Sequence, residues 1–357
     1  MHGARRIKIS GILVLTLFAV FFVLPAACDG GSDDSSDTVA ASDDDDLSTD
    51  DDTADDDAPD DDTSDDDTSD DDTSDDDTSD DDTADDDTAD DDTADDDTCS
   101  PLYGDVLIYA HRGARTEAPE NTIPAIDAAF DLGADVVEMD VRDTSDGAFV
   151  LMHDDTVDRT TDGTGLVSDL TLAQIKSLEV NDGGYDDGFP GLRVPTLNEA
   201  LAQVKTRGGR AYLDMKTDKA AEAMQIAIDM GLADRVFVYS GDWSKLDAVR
   251  ALWPSAAILP PTSSVEQTNA ILDHFDPDPT HFEVTEDGFT PENLAAIDAL
   301  GAFMTMDALG IRDIKGRAGN TQAWLEMMEA GMDMIGTDFC EILVDFRDSL
   351  CEETTTR

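Results

Sequence analysis

The chain has 357 residues, a formal net charge of −63 and 40% hydrophobic residues. The charge is local: residues 29–98 hold 38 Asp and no Glu, Lys or Arg, residues 1–28 hold three basic residues, and 47 acids face 19 Lys plus Arg from residue 99 onward. That remainder, at −28, is long enough for one domain with a large core, and its acidity argues against nucleic acid as a partner, because phosphate backbones require Lys and Arg.

The chain opens with a basic start, Arg5, Arg6 and Lys8, followed by an uncharged apolar run of 14 residues, Gly11 to Leu24. Small residues Ala26 and Ala27 lead to Cys28. This is the order of a secretory signal, and the run is short for a bilayer span of about 20 residues. Leu24-Pro25-Ala26-Ala27-Cys28 also resembles a bacterial lipobox, which makes Cys28 the expected lipidation site. The expectation is an exported, membrane-anchored lipoprotein of the bacterial cell envelope, or a secreted protein if the signal is simply cleaved near Ala27. From Asp50 to Thr98 the chain reads mostly DDDTS or DDDTA, a period of five that suits neither helix nor strand. With little to bury and strong self-repulsion, residues 29–98 are expected to be a disordered linker, on the order of 45 Å across even as a Gaussian coil.

Residues 99–357 read as the folded domain. Eight short apolar runs recur: Val106–Ala110, Asp135–Val141, Ala148–His153, Ala211–Met215, Arg235–Ser240, His281–Val284, Ala302–Met306 and Met334–Phe339. Helical patterns lie between most of them, at Thr122–Leu132, Thr171–Leu178, Leu197–Arg207, Lys219–Met230, Ser244–Leu252, Pro291–Leu300 and Thr321–Ala330. Several stop on glycine, at Gly133, Gly231, Gly301 and Gly331, as helices do. Strand–helix alternation with apolar strands predicts a parallel sheet, and eight units predict an α/β fold of the (β/α)8 TIM-barrel type. Arg142–Gly147 departs from the pattern, being too short for a helix.

Polar residues gather at the C-terminal ends of these runs, the face where barrels build active sites. Glu138 and Asp140 are two apart on a strand and so share a side, while Val137, Met139 and Val141 face the helices. Two carboxylates this close repel unless a cation joins them, and Asp214 could add a third. Such oxygen ligands suit Ca²⁺ or Mg²⁺, whereas zinc prefers His and Cys. His111 and His153 end the first and third runs and are candidates for acid–base work. Arg112 and Lys216 bring positive charge suited to phosphate. Together these parts suit cleavage of a small-molecule phosphodiester. The bland reading is a set of unrelated surface acids and a structural histidine, which the placement of the pair inside an apolar strand opposes.

The stretches HRGARTEAPENT (111–122), VEMDVRDTSDGAFVLMHDDTVDRTTDGTG (137–165), VPTLNEAL (194–201), LDMK (213–216) and GTDF (336–339) closely resemble the glycerophosphodiester phosphodiesterase family. The resemblance implies that His111 and His153 are the acid–base pair, that Glu138 and Asp140 bind metal and that Arg112 contacts phosphate. It implies hydrolysis of glycerophosphodiesters to an alcohol and glycerol 3-phosphate. Glu120 and Asn121 of the PENT segment read as loop-holding residues. The sequence departs from the family pattern in three places. Asp214 stands where Glu is usual, Met304-Thr305-Met306-Asp307 replaces WTVN and so removes an indole, and Cys340 follows the last run where proline-type residues are common. Sphingomyelinase D-like and phosphatidylinositol-specific phospholipase C-like barrels are alternatives, as is a non-catalytic surface lipoprotein that binds Ca²⁺ or phosphate. With Cys28 lipidated, Cys99 and Cys351 flank the barrel, whose termini meet, and are the expected disulfide; Cys340–Cys351 is the rival.

Overall fold

A computed structural model describes residues 103–181 and 188–355, with side chains through Leu350. The signal segment with Cys28, the acidic linker, Cys99 and the Cys351 side chain lie outside the described residues. The strands are β1 (Leu107–Ala110), β2 (Val136–Asp143), β3 (Phe149–Leu151), β4 (Arg210–Met215), β5 (Val236–Tyr239), β6 (Ala257–Leu259), β7 (Pro261–Thr262), β8 (His281–Val284), β9 (Phe303–Asp307) and β10 (Met334–Thr337). The α-helices are α1 (Ile123–Asp131), α2 (Leu172–Ser177), α3 (Leu197–Arg207), α4 (Ala220–Asp229), α5 (Trp243–Leu252), α6 (Val265–His274), α7 (Pro291–Ala299), α8 (Ile311–Arg317), α9 (Gln322–Glu329) and α10 (Cys340–Thr355).

The parallel sheet runs β6-β5-β4-β2-β1-β10-β9-β8-β7. Since β6 and β7 are separated only by Pro260, they form one kinked stave and the sheet closes with eight staves. The kink has a local cause. Pro260 and Pro261 have no N–H to give to a ladder, so the stave leaves β5 at Leu259 and joins β8 at Pro261, where the Pro260 carbonyl accepts from Glu283 N at 3.2 Å. The (β/α)8 TIM barrel is therefore present, with one stave different from expectation. Ala148–His153 supplies β3, which pairs antiparallel with β2 (Val141 opposite Leu151) and lies off the barrel. The short Arg142–Gly147 link is a hairpin turn, because a parallel return needs a crossover of a dozen residues. The stave missing from the sequence reading is Ala257–Leu259 with Pro261–Thr262.

Most of the core lies between staves and helices, where Val137, Met139 and Val141 are fully buried. The barrel interior is filled below the site by Tyr109, Val136, Tyr212, Phe237, Leu259 and Met334. A separate cluster under the β3 hairpin and α2 joins Val150, Val157, Val167, Ile175, Val180 and Val194. Helices start where the sequence supplies caps. Thr122 Oγ1 accepts from Ala125 N at 3.4 Å ahead of α1, and Thr196 with Glu199 makes a capping box for α3. Cys340 is buried and unbridged, and it shares α10 with Cys351 eleven residues on, a helical rise of about 16 Å. That separation exceeds what a disulfide spans, so the Cys340–Cys351 pairing is excluded. Among the described residues no helix is long and apolar enough to cross a membrane.

Candidate active site

The C-terminal mouth of the barrel encloses a cavity of about 470 Å³ lined by residues of several staves. On β2, Glu138 and Asp140 point inward and are almost fully buried, at 4% and 1% exposure. Asp214 on β4 stands beside Asp140 in register, and one carboxylate oxygen from each of the three acids lies within 4.8 Å of the others. Burial first, then Asp140 and Asp214, pushes the Glu138 carboxyl well above its ordinary range. Asp214 is also raised by burial, though Lys216 pulls the other way. A trio of this kind requires a proton or a cation, and its hard oxygen donors fit Ca²⁺ or Mg²⁺ better than a softer metal. Lys216 Nζ supplies part of the compensation, donating to Asp214 Oδ2 at 2.5 Å and lying 3.4 Å from Asp140 Oδ1. Burial works against its charge, yet the two carboxylates hold the ammonium above the usual lysine range.

The loop after β1 fixes the acids from the other side. Arg112 and Asn121 both adopt left-handed backbone, at φ 58° and 57°, a conformation that costs a non-glycine residue about 1 kcal/mol and persists where surroundings impose it. The return is two aimed groups. Arg112 N donates to Glu138 Oε2 at 2.7 Å, and Asn121 brackets Asp140, donating from Nδ2 to Oδ2 at 2.8 Å and accepting the Asp140 N–H at 3.1 Å. Asn121 is therefore more than a loop holder, since it orients a candidate ligand. Gly113 follows at φ 80°, where a Cβ would run into Ala125.

His111 sits at the end of β1 with its peptide N–H on Thr337 O at 3.1 Å. Its Nε2 accepts from Arg112 Nε at 3.2 Å, and a guanidinium can only donate, so the neutral ring carries its proton on Nδ1 and gives it to Asp338 Oδ1 at 2.8 Å. Asp338 is itself fixed by its N–H on Asp313 Oδ2 at 2.7 Å. Burial would raise Asp338, but the His111 bond and the charges of Arg115 and Arg112 keep it below its ordinary range. His153 lies two residues beyond β3, with its ring Nδ1 2.8 Å from Asp154 Oδ1 and its carbonyl held by Arg142 Nε and Nη2 at 3.1 and 2.8 Å. The structure thus gathers His111, His153, Glu138, Asp140, Asp214 and Lys216 around one cavity. Arg112 stands at its edge, donating from Nη1 to Glu120 Oε1 at 3.1 Å.

On the opposite wall the strand-end acids Glu283 and Asp307 follow the sequence pattern, but their tyrosine partners were not read from it. Tyr109 donates to Asp307, Tyr212 donates to Glu283 Oε2 at 3.2 Å, and the Tyr109 and Tyr212 rings stack with centroids 5.0 Å apart. Glu283 is raised by burial and by the charge of Asp307, with the Tyr212 hydroxyl acting the other way. The signal was present: Tyr109 precedes His111 by two, Tyr212 precedes Asp214 by two, and the alternation that paired Glu138 with Asp140 also turns both tyrosines inward. Met306, Leu309 and Ile311 complete this wall, whereas Met304, which stands where the family has its indole, is buried in the core between staves and helices.

Known proteins bear on this arrangement. Residues 111–276 match the model of the glycerophosphoryl diester phosphodiesterase family. Human glycerophosphodiester phosphodiesterase 1 is 47% identical over 119 residues, covering 32% of this chain and 36% of that protein. Glycerophosphodiester phosphodiesterase of Caldanaerobacter subterraneus subsp. tengcongensis is 43% identical over 111 residues, covering 31% and 45%. The matched stretches thus span between a third and a half of these curated relatives' lengths. An Oleispira antarctica phosphodiesterase, solved in complex with the product sn-glycerol-3-phosphate, superposes with a TM-score of 0.58 at 26% identity, covering 68% of this chain and 96% of that one. The motif order, the barrel and these likenesses agree, and residues 111–276 carry a domain of the glycerophosphoryl diester phosphodiesterase family.

Proposed function

We propose that the protein hydrolyses a glycerophosphodiester to an alcohol and glycerol 3-phosphate with a divalent cation, Ca²⁺ or Mg²⁺, held by Glu138, Asp140 and Asp214. The observation that carries this reading is the pairing of a proton-accepting His111 Nε2 with a three-carboxylate trio on one cavity. His111 takes the proton of the attacking water as its oxygen bonds to phosphorus. His153, oriented by Asp154, gives a proton to the leaving alcohol oxygen as the phosphorus–oxygen bond breaks. Arg112 and Lys216 face the phosphate charge. The bound cation supplies neutralisation of the phosphate oxygens. The acidic, phenol-lined wall opposite receives the hydroxyl-bearing part of the substrate.

The test uses the full-length protein with glycerophosphocholine and other head groups, with Ca²⁺ or Mg²⁺ and with or without chelator. Metal-dependent release of glycerol 3-phosphate is expected, and its absence on every head group defeats the proposal. His111→Ala and Glu138→Ala are each expected to abolish turnover while leaving the fold intact. We also propose that the protein is exported and membrane-anchored through Cys28, a reading supported by the basic, apolar and small-residue order of residues 5–28. Palmitate labelling that is lost in Cys28→Ala is the expected outcome; an unlabelled wild type refutes it.

A further inference from the structure

Arg159 stands outside every residue set assigned above, yet it touches both arms of the site. Its Nε and Nη2 donate to Asp154 Oδ2 and Oδ1 at 2.7 and 3.1 Å. Its Nη1 and Nη2 donate to Glu120 Oε2 and Oε1 at 2.9 and 2.7 Å. One planar guanidinium therefore forks two carboxylates at once, a geometry that an ammonium cannot reproduce.

The two acids have different duties. Asp154 holds the His153 ring through Nδ1 at 2.8 Å. Glu120 receives Arg112 Nη1 at 3.1 Å, and Arg112 Nε in turn donates to His111 Nε2 at 3.2 Å. The result is an unbroken chain of contacts: His153, Asp154, Arg159, Glu120, Arg112, His111. Its two ends leave different elements, since residues 111–122 follow β1 and residues 153–159 follow the β3 hairpin. The plain alternative is a surface ion pair of little consequence, and the Arg159 side chain is 47% exposed. Two features oppose that. Glu120 is only 12% exposed and Asp154 28%, so the acids are held at the site rather than in solvent. The Arg159 backbone is also pinned, its carbonyl accepting from Asn181 Nδ2 at 3.1 Å.

We infer that Arg159 is a positioning residue that sets the placement of the two imidazoles relative to each other by tying their supporting acids together. The inference rests on the phosphodiesterase reading for its kinetic consequence, but its geometric core does not. Relative placement of an acid and a base governs kcat more than ground-state binding, since small misplacement can cost about two orders of magnitude.

The experiment therefore has two arms on the full-length protein. The first follows the imidazole resonances by NMR in wild type, Arg159→Ala and Asp154→Asn, with His274 and His281 as internal controls remote from the cavity. Arg159→Ala is expected to move the His111 and His153 signals together and leave the controls in place, whereas Asp154→Asn moves His153 first. Movement of His153 alone in Arg159→Ala overturns the bridge, whether or not the wild type turns over substrate. The second arm measures kcat and KM. Arg159→Ala is expected to lose about 100-fold in kcat with KM within threefold, to regain part of it with added guanidinium, and to gain little from Arg159→Lys. A folded Arg159→Ala with kcat within threefold of wild type overturns the inference. So does a loss expressed in KM alone. If the alanine variant fails to fold, Arg159→Lys takes its place under the same criteria. A wild type without turnover defeats the phosphodiesterase reading and leaves the NMR arm to decide this one.

Discussion

Asn121 joins backbone strain to ligand orientation in one residue, so its replacement separates the two. Asn121→Ala places a residue with a Cβ at φ 57°, which costs about 1 kcal/mol more than asparagine, a residue that tolerates the left-handed region. It also leaves the Asp140 N–H, buried and formerly bonded at 3.1 Å, without a partner, at about 1–3 kcal/mol. The expected total is a loss of about 2–4 kcal/mol in urea unfolding. Asn121→Gly removes the same hydrogen bonds but fits the backbone, so it is expected to recover roughly 1 kcal/mol of that loss. Both variants free the Asp140 carboxylate from its 2.8 Å bond and are expected to weaken divalent-cation binding by about 10–100-fold, as read by calorimetric titration. Alanine and glycine variants equal within about 0.5 kcal/mol would show that the left-handed turn is not constraining. Cation affinity unchanged in both would show that Asn121 does not orient Asp140, and the reasoning fails.

Glu138→Gln removes a buried charge whose neighbours repel it, so the cation-free protein is expected to melt higher than wild type by a few degrees while turnover is lost. In the same melts, added Ca²⁺ or Mg²⁺ is expected to raise the wild-type Tm and leave Glu138→Gln unmoved. Glu120 gives a pH window. Burial works to raise it, but the bonds from Arg159 and Arg112 override this and hold the carboxyl at about 2. Its folded value lies below its unfolded value of about 4.5, so its contribution of up to about 3 kcal/mol is complete above pH 4.5 and is lost as pH falls toward 2. Urea unfolding at pH 5 and pH 3 is expected to show a smaller loss for Glu120→Gln than for wild type. Gly336→Ala drives a Cβ into the Tyr109 ring and is expected to cost about 1–3 kcal/mol by overpacking, measured as a lower urea midpoint at constant slope.

Much of the site could be read before the fold was seen because period-two alternation is a local rule. It turned Glu138 and Asp140 inward without any knowledge of neighbours. The β3 error arose from the same rule: Phe149–Leu151 is as apolar as a stave, and only the short turn at Asp146–Gly147 distinguished a hairpin from a crossover. Ala257–Leu259 carries no strand signal, because three residues before two prolines show almost no periodicity. The sequence pattern likewise predicts no helix over α6, α8 or α10. Arg159 and Asp313 were illegible for another reason. Each acts on partners far away in sequence, Glu120 at 39 residues and Thr337 at 24, and no local pattern encodes such meetings.

The double-proline stave has a consequence for how the barrel breathes. Around the ring it lies four places from β1, directly across from the strand that ends in His111. With two ladder donors missing its pairing is weakened, and amide exchange there is expected to outrun exchange in β2 and β4. An opening at that point would lie beside Glu283 and Asp307, across the barrel from the strand that ends in His111. The two halves of the barrel are thus expected to differ in stiffness, the proline stave being the softer.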